Sequence, residues 1–480
     1  MPELPNLDHL SHAEKDALIR VLWQRLGAAE RLIADLEAKL GEPSKTPDNS
    51  SLPPSKGQKP NQPDKAKRVG PRKGSLGREG GGPLTRVLAR PLALFPDETI
   101  TTKAPACAHC QAALTEADQV LHGRYDKIDL PVVRPVVTRV ERYAGHCPCC
   151  GGVTLAPVPV GMEEGSPFSV NIVALAIYLR FTHAISYRRL SQLFMQLYAL
   201  SISEGALDAL LQRAKPCFDD QVAAILARLR RSRIVCSDET TVRIDGRTHW
   251  NWAEPAKVPP MRSIGGRQAE GFQNDQVVIH VVRNSRAASV VTETMAGHRP
   301  TIWVSDLYGA QQGHADLWQV CLAHQLRDCK YAIEAGDTIF APRMKALLLR
   351  AVVLARRRKK LAESTRRSYQ RRLDHELNAI MVLAPTNSHG KRLRKRYGKV
   401  RSHLFTFLEH PDAPPDNNGS ERELRPTATY RKVTGGFRSR WGADLFAAVR
   451  SVVGTAARRG IDAYQAIRAV LYGESVLLPG

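Results

Sequence analysis

Two apolar segments in the second half of the chain each lead into an aspartate, and no other feature of the sequence restricts the fold as strongly. Ile234-Val-Cys is followed by Asp238, and Thr301-Ile-Trp-Val is followed by Asp306. Short apolar runs between polar residues predict β-strands, so each aspartate is expected at a strand end, where its carboxylate projects into a cleft. A single aspartate in this position is more often a turn or helix cap.

Further strands are predicted between and beside these two segments. Thr241-Val-Arg-Ile reaches Asp245-Gly-Arg, and His249-Trp-Asn-Trp follows, which predicts a hairpin because Asp-Gly favours tight turns between antiparallel strands. Gln276-Val-Val-Ile-His-Val-Val predicts another strand. Together with helical periodicity elsewhere, these strands predict an α/β domain that begins near residue 233.

A third carboxylate follows at Glu421, in the segment Asp416-Asn-Asn-Gly-Ser-Glu-Arg. Its polar, Asn-rich start predicts a short helix that carries Glu421, Arg422 and Arg425. Three carboxylates on separate elements can hold two Mg²⁺ or Mn²⁺ ions, because these metals prefer oxygen ligands, and arginine suits phosphate. This combination indicates metal-dependent chemistry on phosphodiesters.

Three other regions are predicted to be helical. Residues 169–230 contain two periodic runs with a break between them, which resembles a helix-turn-helix but is also common in plain helix bundles. Residues 343–401 combine helical periodicity with many Arg and Lys residues, which indicates either a DNA-binding insertion or a solvated charged surface. Residues 437–471 repeat apolar residues every four positions, so one buried stripe is expected.

The N-terminal part of the chain divides into a helix and a linker. Ile19, Leu26 and Ile33 recur every seven residues, with apolar residues between them, which predicts a coiled coil joining copies of the chain. The alternative is one amphipathic helix packed on its own domain. Residues 43–98 are rich in Pro, Gly and basic residues, and predict a flexible linker because they bury too little apolar surface to order themselves.

Cysteine spacing predicts one structural zinc ion. Two C-x-x-C pairs each place two thiolates on a tight turn, and two such turns complete the tetrahedral set that zinc prefers. The predicted ligands are Cys107, Cys110, Cys147 and Cys150. Nearby side chains that could take part instead are Cys149, His109 and His146. The alternating stretch over 127–143 predicts strands of the kind found in zinc ribbons.

The net charge of the chain indicates a polyanionic partner. Lys and Arg outnumber Asp and Glu by 70 to 47, a net charge of +23, and an excess of this size favours DNA because neutralising phosphates releases counterions. No apolar run approaches the roughly 20 residues of a membrane span, and the N-terminus lacks the pattern of a secretion signal. With its cysteines in C-x-x-C pairs, the protein is expected to be cytoplasmic and nucleoid-associated, without a membrane partner.

In order along the chain, these features resemble the transposases of the insertion-sequence 66 family. The matching pieces are the N-terminal heptads, Asn49-Ser-Ser-Leu-Pro-Pro-Ser-Lys, the paired C-x-x-C module, Ser237-Asp-Glu-Thr, Ser305-Asp-Leu-Tyr-Gly, Cys321-Leu-Ala-His-Gln-Leu-Arg and the Asp416 segment. The resemblance implies a ribonuclease H-like DDE core in which Asp238, Asp306 and Glu421 bind two metal ions. It also places His324 and Arg327 at the active site, in contact with the scissile phosphate; the alternative is a structural histidine and a surface arginine.

The resemblance further implies partners and a domain order. The partners are DNA (element ends and target), a second copy of the chain, and accessory proteins encoded beside it. Further candidates for phosphate contact are Tyr430, Arg431 and Lys432. The predicted order is a coiled-coil helix (1–42), a basic linker (43–98), a zinc-binding domain (99–157), a helical region (158–232), a catalytic domain (233–432) with a basic helical insertion (332–405), and a helical segment (433–480).

Two other functions fit the same sequence. A ribonuclease H-like nuclease would use the same metal ions without joining strands. A zinc-containing DNA-binding regulator would use the carboxylates only as caps, and would keep its DNA affinity when Glu421 is replaced.

Overall fold

The computed structural model describes residues 11–40, 42, 43, 45, 46, 49, 92–257 and 276–477. The chain forms two compact units. The first comprises Met1–Lys59, Thr138–Met195 and Ser201–Gly480, and the second comprises Pro60–Val137 and Gln196–Leu200. Most of the linker predicted over 43–98 lies outside the described residues. Of the described helices, none combines the length and apolarity needed to cross a bilayer.

The described part of the chain is mixed α/β, as predicted. Its helices are α1 (His12–Leu40), α2 (Val170–Ile177), α3 (Tyr187–Tyr198), α4 (Glu204–Leu229), α5 (Ala288–Met295), α6 (Leu322–Glu334), α7 (Phe340–Arg357), α8 (Glu363–Met381), α9 (Ser388–Val400), α10 (Thr406–Glu409), α11 (Asn418–Thr434), α12 (Arg440–Ala457) and α13 (Ala463–Leu471). Its strands are β1 (Ala144–His146), β2 (Val153–Leu155), β3 (Ile234–Cys236), β4 (Asp238–Ile244), β5 (Arg247–Lys257), β6 (Gln276–Arg283), β7 (Ile302–Ser305) and β8 (Leu317–Val320).

The six strands β3 to β8 form one sheet in the first unit. β3 and β4 lie end to end along β5 in a single antiparallel register, with Val235 opposite Ala256 and Asp238 opposite Ala253. β6 pairs antiparallel with the other side of β5, whereas β3, β7 and β8 run parallel to one another. The strands predicted within residues 234–304 are confirmed, and β8 is a further strand that the sequence did not indicate.

The hairpin turn between β4 and β5 is also confirmed. Asp245 and Gly246 adopt left-handed conformations, with φ of 46° and 71°, as the tight turn between antiparallel strands requires. The backbone N–H of Asp245 donates to the Phe437 carbonyl oxygen (2.9 Å), and the N–H of Phe437 donates to that of Arg243 (2.8 Å). The segment after α11 therefore pairs with the end of β4, which attaches the C-terminal end of α11 to the sheet.

Helices surround the sheet so closely that one of them is buried on all sides. α12 packs against β6, α4 and α13, and every residue from Leu445 to Ala456 is buried. The prediction of a single buried stripe is therefore wrong for α12, because an enclosed helix has no solvent-facing side. α4 starts as predicted, with the Ser203 hydroxyl accepting the Ala206 N–H (3.1 Å). α4 packs against α2, α12 and α13, and DNA reading by the α3–α4 pair stays a prediction.

The predicted helical insertion consists of α7, α8 and α9. The Asp337 carboxylate, fully buried before α7, accepts the N–H groups of Phe340 (3.3 Å), Ala341 (3.0 Å) and Thr386 (3.2 Å). It satisfies free donors at the start of α7 and ties that start to the loop before α9. A Cβ at Gly390 would overlap this carboxylate, so only glycine fits there.

The N-terminal helix α1 exposes the seam predicted to form a coiled coil. Ile19, Leu26 and Ile33 are 60%, 53% and 55% exposed. These three side chains are not buried against the described part of their own chain. The alternative for this helix, packing on its own domain, is therefore not found for them. Pairing with a second copy stays a prediction.

Residues after α1 bind to the outer ends of α6 and α9. The Glu42 carboxylate lies 2.9 Å from Nε2 of His389 and accepts the Tyr331 hydroxyl at 3.4 Å. The side-chain amide of Asn49, which is 4% exposed, donates to Glu334 at 2.6 Å. These contacts attach the end of α1 to the helical insertion.

Glu254 is a buried carboxyl in the middle of the sheet. It lies on β5 opposite Ile279 of β6, is 1% exposed, and neither oxygen has a hydrogen-bond partner in the part of the chain that is described. Burial raises its pKa to about 8. The carboxyl therefore carries its proton in the folded protein at neutral pH.

We expect Glu254 to lower the stability of the protein as the pH rises. An unfolded glutamate ionises near pH ~4.3, whereas the folded one keeps its proton to about pH 8. Between these values the unfolded state binds fewer protons, so the free energy of unfolding falls with rising pH. Thermal unfolding from pH 5 to 8 should show the wild-type melting temperature falling relative to that of Glu254→Gln. A pH-independent difference would contradict this.

Candidate active site

Asp238 and Asp306 lie at the same edge of the sheet. β3 and β7 are parallel neighbours, with Cys236 beside Val304. The pairing extends one residue further, because the Ser237 N–H donates to the Val304 carbonyl oxygen at 3.0 Å. Parallel strands end on the same side of a sheet, so the residues that follow them come together.

Asn417 attaches the third element of the site. It is fully buried immediately before α11. Its side-chain amide donates to the Ser237 carbonyl oxygen (2.6 Å), and its backbone N–H donates to the Cys321 sulfur (3.1 Å). These bonds join the start of α11 to the strand of Asp238 and to the start of α6. Glu421 lies in the first turn of α11, a helix of 17 residues rather than the short helix predicted.

Burial and the charges of the neighbouring carboxylates disfavour the ionised form of Asp238. Burial raises the pKa of Asp238 well above its ordinary value, and the charges of Glu239, Asp306 and Glu421 raise it further. Burial also raises the pKa of Asp306 to about 6, although the Tyr308 N–H donates to its carboxylate at 2.9 Å. Crowded carboxylates repel one another when ionised, and a divalent cation removes that repulsion. The donor set fits Mg²⁺ or Mn²⁺.

Two side chains of α6 approach Glu421. Arg327 donates to its Oε1 at 3.1 Å, and Nδ1 of His324 lies 3.6 Å from the same oxygen. Burial, with the charge of Arg327, lowers the pKa of His324 to about 3, so the imidazole is neutral. Ligand atoms of Cys321, His324 and Glu421 lie within 4.8 Å of one another, and no other described residues form such a metal-binding group of three.

Glu239 belongs to a network that joins the two aspartate-bearing strands. Its side chain is 1% exposed. It accepts a hydrogen bond from Nε of Arg286 (2.7 Å) and from Nε2 of Gln311 (2.7 Å). The Arg286 guanidinium also stacks on the Tyr308 ring, 3.8 Å from its centroid. Because Gln311 follows β7 and Glu239 lies on β4, these contacts hold the two strand ends together.

Comparison with known proteins identifies the family. A sequence model described as the transposase IS66 family matches residues 165–445, more than half of the chain. The match includes the sheet, the insertion and the elements of all three carboxylates. The chain belongs to the IS66 transposase family. It is also similar to an uncharacterized protein, y4jD, of Sinorhizobium fredii, with 25% identity over 408 residues that cover 78% of this chain and 76% of the relative.

In this IS66-family transposase, Glu423 fixes the rotation of α11. It lies two residues after Glu421, and its carboxylate is 2.8 Å from Arg458, 3.8 Å from Arg450 and 3.9 Å from His280. Burial alone would raise the pKa of Glu423, but the nearby His280 and the charge of Arg458 lower it to about 2. A Cβ at Gly454 would lie 2.9 Å from the carboxylate, so glycine lets α12 approach it.

The basic residues of the insertion have two different roles. Some arginines make structural bonds: Arg358 donates to the Pro411 carbonyl oxygen (2.7 Å), Arg366 to that of Leu408 (3.1 Å) and Arg394 to that of Leu383 (2.9 Å). Others are exposed on α7, on the turn after it, and on α8 and α9: Arg356, Arg357, Lys359, Lys360, Arg367, Arg371, Arg372, Lys391, Arg392, Lys395 and Lys399. Only the exposed group can meet a phosphate backbone.

Tyr430 is not available for phosphate contact, and that prediction is wrong. Its ring is 2% exposed, stacks on Phe437 at 4.8 Å and packs against Phe446 at 4.8 Å. The residue faces inward on α11 and contributes to an aromatic core. Arg431 donates to the Thr241 carbonyl oxygen at 2.6 Å, which attaches α11 to β4.

The two C-x-x-C pairs form similar turns, each described within its own unit. In the second unit, the Cys107 N–H donates to the Ala112 carbonyl oxygen at 2.9 Å. In the first unit, the Cys147 N–H donates to that of Gly152 at 2.8 Å, between β1 and β2. Backbone N–H groups lower the pKa of both Cys107 and Cys147, which favours thiolates. Residues 127–143 form no strand, so the strand-like prediction for that stretch is wrong: it pairs with no neighbouring strand.

The structure places His324 and Arg327 beside Glu421, and the charges of Asp306 and Glu421 reach Asp238. The roles of these five residues stay predictions. The sequence did not indicate Asn417, Cys321 as a neighbour of Glu421, or the Glu239–Arg286 pair. The only signal for Asn417 was its place at a helix start, where asparagine is favoured. No local pattern indicated that Glu239 would meet a residue so distant in sequence.

Replacing Glu423 should destabilise the protein, whereas replacing Glu421 should not. Glu423→Gln leaves Arg450 and Arg458 buried without their carboxylate, a loss of about 3–5 kcal/mol for a buried pair and less where water reaches it. Glu421→Gln, on the same helix, loses the bond to Arg327 but removes a charge that disfavours ionised Asp238, so its midpoint should stay close to that of wild type. It is the matched control. Urea denaturation without metal ions measures both. Equal midpoints for Glu423→Gln and wild type would contradict the role of Glu423.

Proposed function

We propose that this protein is a DDE transposase that cuts DNA at the ends of an insertion sequence and joins those ends to target DNA. The metal ligands are Asp238, Asp306 and Glu421. The proposal rests on two observations: Asp238 and Asp306 follow the parallel neighbours β3 and β7, and the charges of Asp306 and Glu421 add to burial in raising the pKa of Asp238. Membership of a transposase family supports DNA as the substrate.

We assign the sheet and the helices beside it to a ribonuclease H-like core. The support is the strand order across the sheet. β6, β5 and the end-to-end pair β3–β4 are antiparallel neighbours, and β7 and β8 then follow β3 in parallel. This order makes β3, which leads into Asp238, the direct neighbour of β7, which leads into Asp306. Glu421 then reaches the pair from a helix.

The proposed reaction has two phosphoryl transfers. Water attacks the phosphodiester at the element end, and the bond to the 3′-oxygen breaks, which leaves a 3′-hydroxyl and a 5′-phosphate. That hydroxyl then attacks a target phosphodiester and releases a target 3′-hydroxyl. Two divalent ions, when bound, activate the attacking oxygen and stabilise the leaving one. Asn417 holds the start of the Glu421 helix against Ser237, and the Tyr308 N–H holds the Asp306 carboxylate. Arg327 supplies a positive charge beside Glu421.

We infer that the exposed basic residues of the insertion bind the DNA backbone. Arg371 and Arg372 line one groove on α8, next to Ser368 and His375. Exposed arginines on one helix face suit phosphate. The net charge of +23 supports such binding.

We also propose one structural zinc ion bound by the four C-x-x-C thiolates, and self-association through α1. Spacing and the form of each cysteine turn support the zinc site. The exposed seam of α1 supports a coiled coil, since apolar residues at heptad positions gain by burial against a second helix.

The test is metal-dependent cleavage of DNA that carries the ends of the element. Each of Asp238→Asn, Asp306→Asn and Glu421→Gln should lower the cleavage rate by about a hundredfold or more, because a metal site stabilises the transition state by several kcal/mol. DNA affinity in gel shifts should stay unchanged. Asp316→Asn, an exposed aspartate paired with Arg299, is the matched control and should cleave normally. Full cleavage by any of the three variants would remove that carboxylate from the proposed site.

A further inference from the structure

His324 has a buried ring nitrogen that no hydrogen bond accounts for. The residue is 8% exposed, and its Nδ1 has no hydrogen-bond partner in the part of the chain that is described. Oε1 of Glu421 is 3.6 Å from this nitrogen, which is too long for a hydrogen bond. Buried polar atoms are nearly always paired. An unpaired nitrogen beside a carboxylate therefore indicates that a ligand binds between them.

The surroundings of Nδ1 favour a cation over a phosphate. The nitrogen points toward Glu421, and a phosphate placed there would meet the charge of that carboxylate. A divalent cation would be attracted by it. Arg327 also contacts Glu421, and it is the better candidate for phosphate because guanidinium matches phosphate oxygens.

We propose that His324 binds, through Nδ1, the same metal ion as Glu421. The proposal rests on the proposed function, since it adds a ligand to the carboxylate site. Two ligands of one divalent ion each lie about 2 Å from it, so they can be separated by the 3.6 Å seen here. His324 reaches this place because α6 begins beside α11, where Asn417 donates to the Cys321 sulfur.

Cys321 has a different role in the same group. Its sulfur accepts the Asn417 N–H at 3.1 Å and is fully buried. Mg²⁺ and Mn²⁺ both prefer oxygen ligands, and Mn²⁺ also accepts nitrogen ligands. Thiolates suit softer metals. Cys321 therefore positions α6 against α11 and leaves the metal to His324 and the carboxylates.

A nitrogen ligand should make the site select Mn²⁺ over Mg²⁺, since imidazole suits transition metals better than it suits Mg²⁺. His324→Gln should weaken Mn²⁺ binding by about tenfold or more, and Mg²⁺ binding by less. Isothermal titration calorimetry of the full-length protein with each ion measures the two changes in affinity. Equal weakening for both ions would contradict nitrogen ligation.

The decisive experiment is pulsed electron paramagnetic resonance of Mn²⁺ bound to the full-length protein. Direct ligation predicts ¹⁴N modulation of the Mn²⁺ signal, replaced by ¹⁵N coupling when the protein is made with ¹⁵N-histidine. Because the chain has 15 histidines, His324→Gln assigns the coupling: it should disappear while Mn²⁺ still binds. His403→Gln, which changes a histidine stacked on Trp318, is the matched control and should keep it.

Two results would overturn the proposal, and they differ in what else they affect. If Mn²⁺ binding is lost in Asp238→Asn but wild type shows no histidine nitrogen coupling, the carboxylate site stands and His324 is not a ligand. If Mn²⁺ binding is unchanged in Asp238→Asn, the proposed function fails together with the inference. The isotope comparison uses only wild-type protein, so a missing histidine coupling overturns the proposal even if His324→Gln does not fold. In that case His324→Asn serves to assign a coupling that is present.

Discussion

The parallel pairing of β3 with β7 is the constraint on which the rest of the site depends. It aligns Cys236 with Val304, so the two chain segments leave the sheet side by side and Asp238 and Asp306 follow at the same edge. The backbone hydrogen bonds of the ladder and the buried apolar side chains of both strands hold this alignment. Burial of Asp238 and the charges of the carboxylates near it both disfavour its ionised form, as its raised pKa indicates. The sheet holds Asp238 and Asp306 at this edge despite that cost.

The helix α11 adds the third carboxylate because it is attached at three points. Asn417 binds the strand of Asp238 at its start, Glu423 binds the arginines of α12 in its second turn, and Phe437 pairs with β4 beyond its end. The first and last contacts fix its position, and the middle one fixes its rotation. Glu421 and Glu423 are two residues apart, so they lie on different sides of the helix, one toward the cleft and one toward the core.

Much of this arrangement follows from local sequence patterns, and the rest depends on distant contacts. The strands, the Asp245-Gly246 turn and the start of α4 were predictable because periodicity and turn chemistry act within a few residues. The insertion was predictable as helical and basic, but not which arginines make structural bonds, since these depend on carbonyl groups far along the chain. The prediction for Tyr430 was wrong for the same reason. Its burial depends on contact with Phe446 of α12, which the local sequence around Tyr430 does not indicate.

Family resemblance supplied what patterns could not, the proposal that three carboxylates far apart in sequence act together. The structure adds a physical reason for the residues between them. Asn417 and Cys321 align α11 with α6, and Arg286 and Gln311 hold Glu239. The central claim remains that these supports serve a metal site made by Asp238, Asp306 and Glu421.

Anomalous diffraction from crystals of the full-length protein grown with Mn²⁺ tests that claim most directly. Anomalous peaks are expected between the carboxylates of Asp238, Asp306 and Glu421, and they should disappear in Asp238→Asn crystals. Mn²⁺ bound elsewhere, with these three carboxylates holding no ion, would contradict it.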